Sequence, residues 1–335
     1  MLSNPKAGVL INSLAKRNRK NPVILEGARN LLSFPVIICN TRSLKELEPA
    51  LDRLFREKIN ILVTSGGDGT IHQIVTAMIS MFGENADFPA ILPLKSGSIN
   101  MLTNNLKMDS HPMSDLSHLD AAVKLWGRGM KPELHRISCL RFESDAFQGR
   151  KYGFIFANGI VFKILKEYYR EGEPGIARAF NVTTAILAQS FAGNEKNSYL
   201  NKVNCRTSID GKKFIDDKIV ISLACTFPEL LLWFNIFDSA KGLKTSDFYL
   251  AVNSMPRSEL AKNFWPLCRG RYKGERHFNG LAKEAILETD AGFTIDGEVY
   301  DPGRHFSLKI TNGPVLNFIN LSNVNLQTIL STAVR

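Results

Sequence analysis

The chain has 335 residues, 44% of them hydrophobic, which is enough for two domains of ordinary size and too apolar for a disordered protein. It has no run of about 18 apolar residues and no charged N-terminal region leading into an apolar stretch, so neither a membrane-spanning helix nor a secretory signal is expected. Five scattered cysteines (Cys39, Cys139, Cys205, Cys225, Cys268) suit a reducing compartment and give no zinc spacing, while the net charge of +10 fits nucleic acid, an anionic membrane or a phosphorylated ligand.

In chain order, Asn21-Pro22 reads as an N-cap followed by a first-turn proline, and FPVIIC (34–39) as a buried strand. Ser43 and Glu46 have the spacing of a capping box, behind which Leu44, Leu47, Leu51, Leu54 and Phe55 fall on one helical face. INILVTS (59–65) is the next strand, IHQIVTAMISMF (71–82) a helix and FPAILPL (88–94) a third strand, with a short helix starting near Ser98. Strands alternating with helices predict a parallel sheet whose ligands bind at the strands' carboxyl ends. After about residue 130 the pattern turns to β, with an alternating LHRISCLRF (134–142). Two β-like runs lie on either side of a hairpin turn at Asp210-Gly211, and more β character runs from 285 to 311. One helix, IARAFNVTTAILAQSFA (176–192), interrupts. The predicted fold class is an α/β N-terminal domain with a parallel sheet, followed by a mostly antiparallel β-sandwich domain. The boundary lies near Gly127-Arg128-Gly129.

Two stretches carry chemistry. In SGGDGT (65–70), Gly66, Gly67 and Gly69 allow positive φ and a close approach of phosphate to backbone, and Thr70 then begins a helix whose free N–H groups favour an anion. Asp68 repels phosphate, so it suits Mg²⁺, a bound water or a hydroxyl. The competing reading is a tight strand–helix turn. Downstream, Asp296 and Glu298 stand two apart, sharing a face in a strand or converging in a turn. The competing reading is a hairpin turn at Asp296-Gly297. LLWFNIF (231–237) reads as a buried strand or the lining of an acyl groove. Basic clusters at 16–20 and 269–273 read as solvated surface or as contacts for anionic headgroups. His72, alone after the glycine turn, reads as structural.

GGDGT resembles the phosphate loop shared by diacylglycerol kinases, sphingosine kinases, NAD kinases and phosphofructokinases. Asn4-Pro5-Lys6-Ala7-Gly8 resembles the NPxxG loop that opens the diacylglycerol/sphingosine lipid kinase domain. ILPLKSGSINMLTNNL resembles that family's ILPxGTxNxLA segment, and Ile295 to Glu298 its DGE. The chain departs from the family pattern at Gln73, at Met101, in carrying Lys95 and Ser96 as two extra residues, and in having FPELLLWFNIFDSAKG where an acidic metal loop is expected.

The resemblance implies a nucleotide-binding catalytic domain over 1–130, a β-rich lipid-substrate domain over 131–315 and a tail, 316–335, packing back on the first. It implies ATP and Mg²⁺ as cofactors. The nucleotide site would comprise Asn4, Thr41, Gly66, Gly67, Asp68, Gly69, Thr70, Gly97, Ser98 and Asn100, with Asp68 on the metal, and Glu298 and Asp296 would be catalytic. The expected activity is transfer of the γ-phosphate of ATP to a hydroxyl of a diacylglycerol, sphingoid or related lipid. The expected setting is the cytoplasmic, inner face of an anionic membrane, with no nucleic acid partner and a homodimer compatible with the pattern. Two alternatives stay open: an NAD kinase-like enzyme, and a non-catalytic nucleotide- or lipid-binding protein on the same scaffold.

Overall fold

The structure is a computed structural model, and it describes residues 4–20, 23–97, 100–108, 111–130, 133–170, 199–227 and 243–321, with 181, 184, 185, 236, 237 and 324. The chain forms two compact units, one of residues 1–137 with 315–335 and one of residues 138–314.

The first unit is built on four parallel strands, β1 (Ala7–Asn12), β2 (Val36–Thr41), β3 (Ile61–Gly66) and β4 (Ala90–Lys95), in the order β2-β1-β3-β4. Phe318, near the end of the chain's last strand, pairs in parallel with Ile91 of β4. The connections carry helices α1 (Lys16–Lys20), α2 (Val23–Leu31), α3 (Leu44–Arg56), α4 (Asp68–Phe82), α5 (Met101–Asn105) and α6 (Pro112–Gly127). Val9, Leu10, Ile61, Leu62, Val63 and Leu92 are fully buried, the near-continuous apolar runs of strands covered on both faces. β2, hydrogen-bonded only to β1 among the described strands, is correspondingly less buried. The chain leaves β1 toward β2 on one side and returns to β3 on the other. The carboxyl ends of β1 and β3 therefore form the switch point at which open α/β sheets bind ligands.

Several local expectations are revised. Asn21-Pro22 lies outside the described residues. Ser43 caps α3 without a side-chain bond, and the Glu46 carboxylate instead accepts the Arg42 N–H at 2.7 Å, so the capping box is half made and displaced by one residue. Leu47, Leu51 and Leu54 are buried and Phe55 stacks on Phe82 at 3.9 Å between centroids, but Leu44, in the first turn, is 60% exposed. Burying each leucine stabilises the unit by about 1.5–3 kcal/mol. The sequence reading passed over α6 because its buried face includes Asp115, Asp120 and small alanines. Asp120 is held there by the Ser33 N–H and hydroxyl, both at 2.7 Å, so the helix lacks a clear apolar stripe.

The second unit is a β-sandwich. One sheet holds six antiparallel strands: β7 (Ile155–Gly159), β11 (Ile221–Cys225), β12 (Phe248–Asn253), β13 (His277–Ala282), β15 (Phe293–Ile295) and β16 (Glu298–Tyr300), in the order β13-β12-β11-β7-β15-β16. The other group contains β5 (Leu134–Ser144), β6 (Arg150–Gly153), β8 (Val203–Ile209), β9 (Lys212–Lys213), β10 (Lys218–Ile219), β14 (Glu284–Thr289) and β17 (Phe306–Ile319), again antiparallel in its pairings within this unit. Phe142 and Leu287 from one face, and Phe156, Phe248 and Phe293 from the other, fill one shared core. Helices α7 (Ile160–Arg170), α8 (Arg257–Lys262) and α9 (Phe264–Cys268) complete the described elements. The predicted two-part fold class, parallel α/β then antiparallel sandwich, is the one observed. Helix α7 escaped the sequence reading. The predicted helix over 176–192 and LLWFNIF fall almost wholly outside the described residues.

Candidate active site

Helix α4 begins at Asp68, not after Thr70, so Asp68, Gly69 and Thr70 form its first turn directly at the carboxyl end of β3. The Gly67 carbonyl takes the N–H groups of Thr70 and Ile71, leaving those of Asp68 and Gly69 ahead of the first intrahelical bond. Positive φ, one of the two reasons expected for the glycines, is absent: Gly67 has φ −101°, and none of Gly66, Gly67 and Gly69 lies in the left-handed region. Close approach is the reason instead. A Cβ on Gly67 would stand 3.0 Å from Gly97 Cα, one on Gly97 would overlap Gly67 Cα, and one on Gly66 would overlap the Thr70 side chain. The turn after β3 and the turn after β4 thus pack backbone against backbone.

Two side chains hold these turns together. Asp68 Oδ2 accepts the Met101 N–H at 2.9 Å and Oδ1 the Leu102 N–H at 3.1 Å, tying the start of α4 to the start of α5. Protein packed around the Asp68 carboxyl raises its proton affinity, and the N–H groups of Met101, Leu102 and Asn100 act against that. Asn100, in the left-handed region at φ 60°, folds its side chain back so that Oδ1 accepts from the Gly97 N–H at 3.0 Å and Nδ2 donates to the Gly97 carbonyl at 3.1 Å. Beneath them the buried hydroxyls of Ser65 and Ser96 bond each other at 2.9 Å, and Ser65 also donates to Asn18 Oδ1 at 2.9 Å. Ser96, an extra residue against the family pattern, is therefore part of the support. His72 is fully buried in α4, as a structural residue would be.

The structure moves one predicted site residue and supplies another. Asn4 precedes β1, and its carbonyl accepts from Nδ2 of Asn60, which precedes β3. It therefore lies at the amino ends of the strands. The carboxyl ends are a strand length away, about 17–20 Å for six residues. The first strand is complete from Ala7 to Asn12. Asn12 occupies the position at its carboxyl end: Nδ2 donates to Thr70 Oγ1 at 2.8 Å, and in the sheet register it stands beside Thr41. An apolar run, VLI, ending in Asn-Ser was the available signal. Thr41, Gly66, Gly67, Asp68, Gly69, Thr70, Gly97 and Asn100 all lie at or just beyond the carboxyl ends. Ser98 is outside the described residues.

In the second unit, Asp296-Gly297 closes the β15–β16 hairpin with φ values of 49° and 87°, the paired left-handed residues of a two-residue turn. The hairpin reading of this segment therefore holds. Asp296 is 5% exposed, and its carboxylate accepts the Phe154 N–H and, at 2.8 Å, the Ile155 N–H. Asp296 and Glu298 do not share a strand, because Asp296 lies in the turn and faces inward to the backbone while Glu298 opens β16 on the exposed surface. Protein close to one side of Glu298 still raises its carboxyl above the ordinary carboxylate range.

Among the described residues no group of three His, Cys, Asp or Glu side chains could hold a metal ion. Asp68, expected on Mg²⁺, has both oxygens engaged by backbone N–H groups. These residues do not form a protein-only metal site. The glycine turn, in contrast, fits an anion, since the Gly69 N–H precedes the first intrahelical bond of a 15-residue helix at the switch point.

A parallel α/β unit with such a turn, joined in sequence to an antiparallel sandwich, defines the fold class of the chain. Residues 6–125 match the family model described as the diacylglycerol kinase catalytic domain. The match begins after Asn4-Pro5. The chain is similar in fold to a diacylglycerol kinase from Bacillus anthracis str. Sterne, at 12% identity and TM-score 0.60, covering 96% of this chain and 98% of that one. It is likewise similar to a putative diacylglycerol kinase from the same source, at 13% identity and TM-score 0.63 with the same coverage. No curated protein matches the sequence. No helix among the described residues is long and apolar enough to cross a membrane.

Proposed function

We propose that this chain is an ATP-dependent lipid kinase that phosphorylates a hydroxyl of a diacylglycerol, sphingoid or related lipid. The observation that carries the reading is the glycine turn at the β1/β3 switch point, locked against Gly97 by Asp68 and Asn100 inside a diacylglycerol kinase catalytic domain. ATP, when bound, supplies the phosphoryl group, and Mg²⁺ would enter with its phosphates rather than at a preformed protein site. The N–H group of Gly69, ahead of the first intrahelical bond, would donate to phosphate oxygens, with Thr70 held in place by Asn12. Asp68 and Asn100 position this backbone without touching the nucleotide. Thr41 borders the site beside Asn12.

Glu298 takes the proton of the acceptor hydroxyl. Its exposure lets a substrate reach it, and its raised proton affinity brings it closer to the operating pH of a general base. Asp296 fixes the hairpin that presents Glu298. The test is a panel of acceptors with γ-labelled ATP: diacylglycerol, ceramide and sphingosine in mixed micelles, and NAD in solution. Label in a lipid supports the proposal. Label in NAD alone supports the NAD kinase-like alternative, and binding of ATP with no transfer supports the binding protein.

A further inference from the structure

The segment from Arg257 to Arg276 carries six basic and two acidic residues around a short aromatic run, Phe264-Trp265. Trp265 is 67% exposed, the most exposed large hydrophobic side chain among the described residues. The segment that carries it is anchored. Leu260 belongs to a buried cluster with Ile160, Leu200, Val220 and Met255, against which Leu267 and Tyr272 pack. The Tyr272 hydroxyl donates to Glu259 at 2.8 Å, and the Arg271 N–H returns to the Pro266 carbonyl at 2.8 Å. One side of α9 is thus pinned to the sandwich while Trp265 and Pro266 stand in solvent. Arg269 follows Trp265 by one helical turn, its N–H on the Trp265 carbonyl at 3.2 Å, so both lie on the same helical face. Lys262 and Lys273 are exposed on either side.

An indole held in water by a fixed platform and ringed by cations matches one chemistry closely. Tryptophan settles at the headgroup level of a bilayer, where its ring is in apolar surroundings and its N–H stays wet. Lysine and arginine beside it are drawn to anionic lipid phosphates. Charges directly flank a single protruding side chain here, an arrangement closer to a membrane-interface anchor than to the large apolar patch that marks many protein interfaces. We propose that residues 257–276 are the surface by which the chain docks on an anionic bilayer, with Trp265 inserted among the headgroups and Lys262, Arg269 and Lys273 against lipid phosphates. The proposal rests on the lipid-kinase reading, in that a bilayer is where the acceptor resides.

The test uses the full chain without nucleotide, sedimented with vesicles of phosphatidylcholine, with and without phosphatidylglycerol. Binding should require phosphatidylglycerol and weaken as salt shortens the Debye length. Trp265→Ala, and separately Arg269→Glu combined with Lys273→Glu, should each lower vesicle affinity by about tenfold or more. Brominated lipid should quench the wild-type fluorescence and quench Trp265→Phe far less, isolating this indole from the chain's other two tryptophans. Phosphotransfer to detergent-dispersed diacylglycerol is measured in parallel, where Trp265→Ala should match wild type. Vesicle binding untouched by both variants, absence of wild-type binding to anionic vesicles, or equal quenching in Trp265→Phe overturns the docking surface. So does a concentration-dependent dimer, abolished by Trp265→Ala, in a chain that ignores vesicles. Vesicle binding that follows the prediction in a chain with no phosphotransfer overturns the kinase reading alone.

Discussion

Asp210-Gly211 and Asp296-Gly297 close two hairpins of the second unit with nearly the same backbone, φ 48° and 78° in one and 49° and 87° in the other. In both, the aspartate accepts two successive N–H groups from a distant strand, those of Lys283 and Glu284 in the first and of Phe154 and Ile155 in the second. The differences lie around the turn. Asp210 is exposed and is followed by an exposed lysine, Lys212, whereas Asp296 is buried and is followed by Glu298, whose carboxyl protein packing shifts upward. A motif read as catalytic and a motif read as a turn can therefore share one conformation. Burial and the next residue decide what the turn is for.

The largest effect should separate the two aspartates. Asp296→Ala removes a charged acceptor and leaves two buried N–H groups unpaired, a loss of about 3 kcal/mol or more in unfolding free energy. Asp210→Ala, open to water, should lose about 1 kcal/mol or less. Urea midpoints measure both, and equal losses would mean that burial does not distinguish the turns.

The residue after each turn comes next. Glu298→Gln should lower kcat by about 10²-fold, near 2.7 kcal/mol of barrier, with ATP affinity unchanged, because a base acts in the transition state. Lys212→Met should leave kcat alone. The base works deprotonated, so wild-type kcat should rise as pH passes through a value above the usual glutamate figure of about 4.3. Glu298→Gln should lose that acid limb, and a limb that persists assigns it to another group. Stability shifts the other way. A raised pKa means the folded chain holds the proton more tightly, so Glu298 contributes fully below its unfolded pKa and loses that contribution as pH rises through the folded one.

The smallest effect should not distinguish the turns at all. Gly297→Ala and Gly211→Ala each force a Cβ into left-handed backbone and should each cost about 1–2 kcal/mol, measured by the same urea midpoints. A loss confined to one of them would mean that the shared backbone is less alike than its φ values.

Local pattern made much of this legible. Covered parallel strands read as apolar runs, the alternation with helices fixed the class of the first unit, and Asp-Gly between β-like runs marked the hairpin at Asp210-Gly211 and stood as the competing reading at Asp296-Gly297. What escaped depended on partners far along the chain. Asp68 reads as a free carboxylate beside glycines, yet its oxygens belong to Met101 and Leu102, 33 and 34 residues on. Asp296 is tied to Phe154 and Ile155, 142 and 141 residues back. NPKAG matches a loop pattern that points to Asn4, while the short strand that follows it carries the chain to Asn12 before any ligand-binding end is reached. Of the two reasons for the loop glycines, positive φ is absent, and the backbone contact between Gly67 and Gly97 leaves no trace in either local sequence.

The central claim, a lipid kinase whose base is Glu298, is tested most directly by following the γ-phosphate of labelled ATP into diacylglycerol in mixed micelles, for wild type and Glu298→Gln at the same saturating ATP. The account predicts labelled lipid from wild type and about 10²-fold less per unit time from a folded variant that binds ATP as tightly. Equal rates from the two proteins, or no labelled lipid from wild type with any acceptor of the panel, would contradict it.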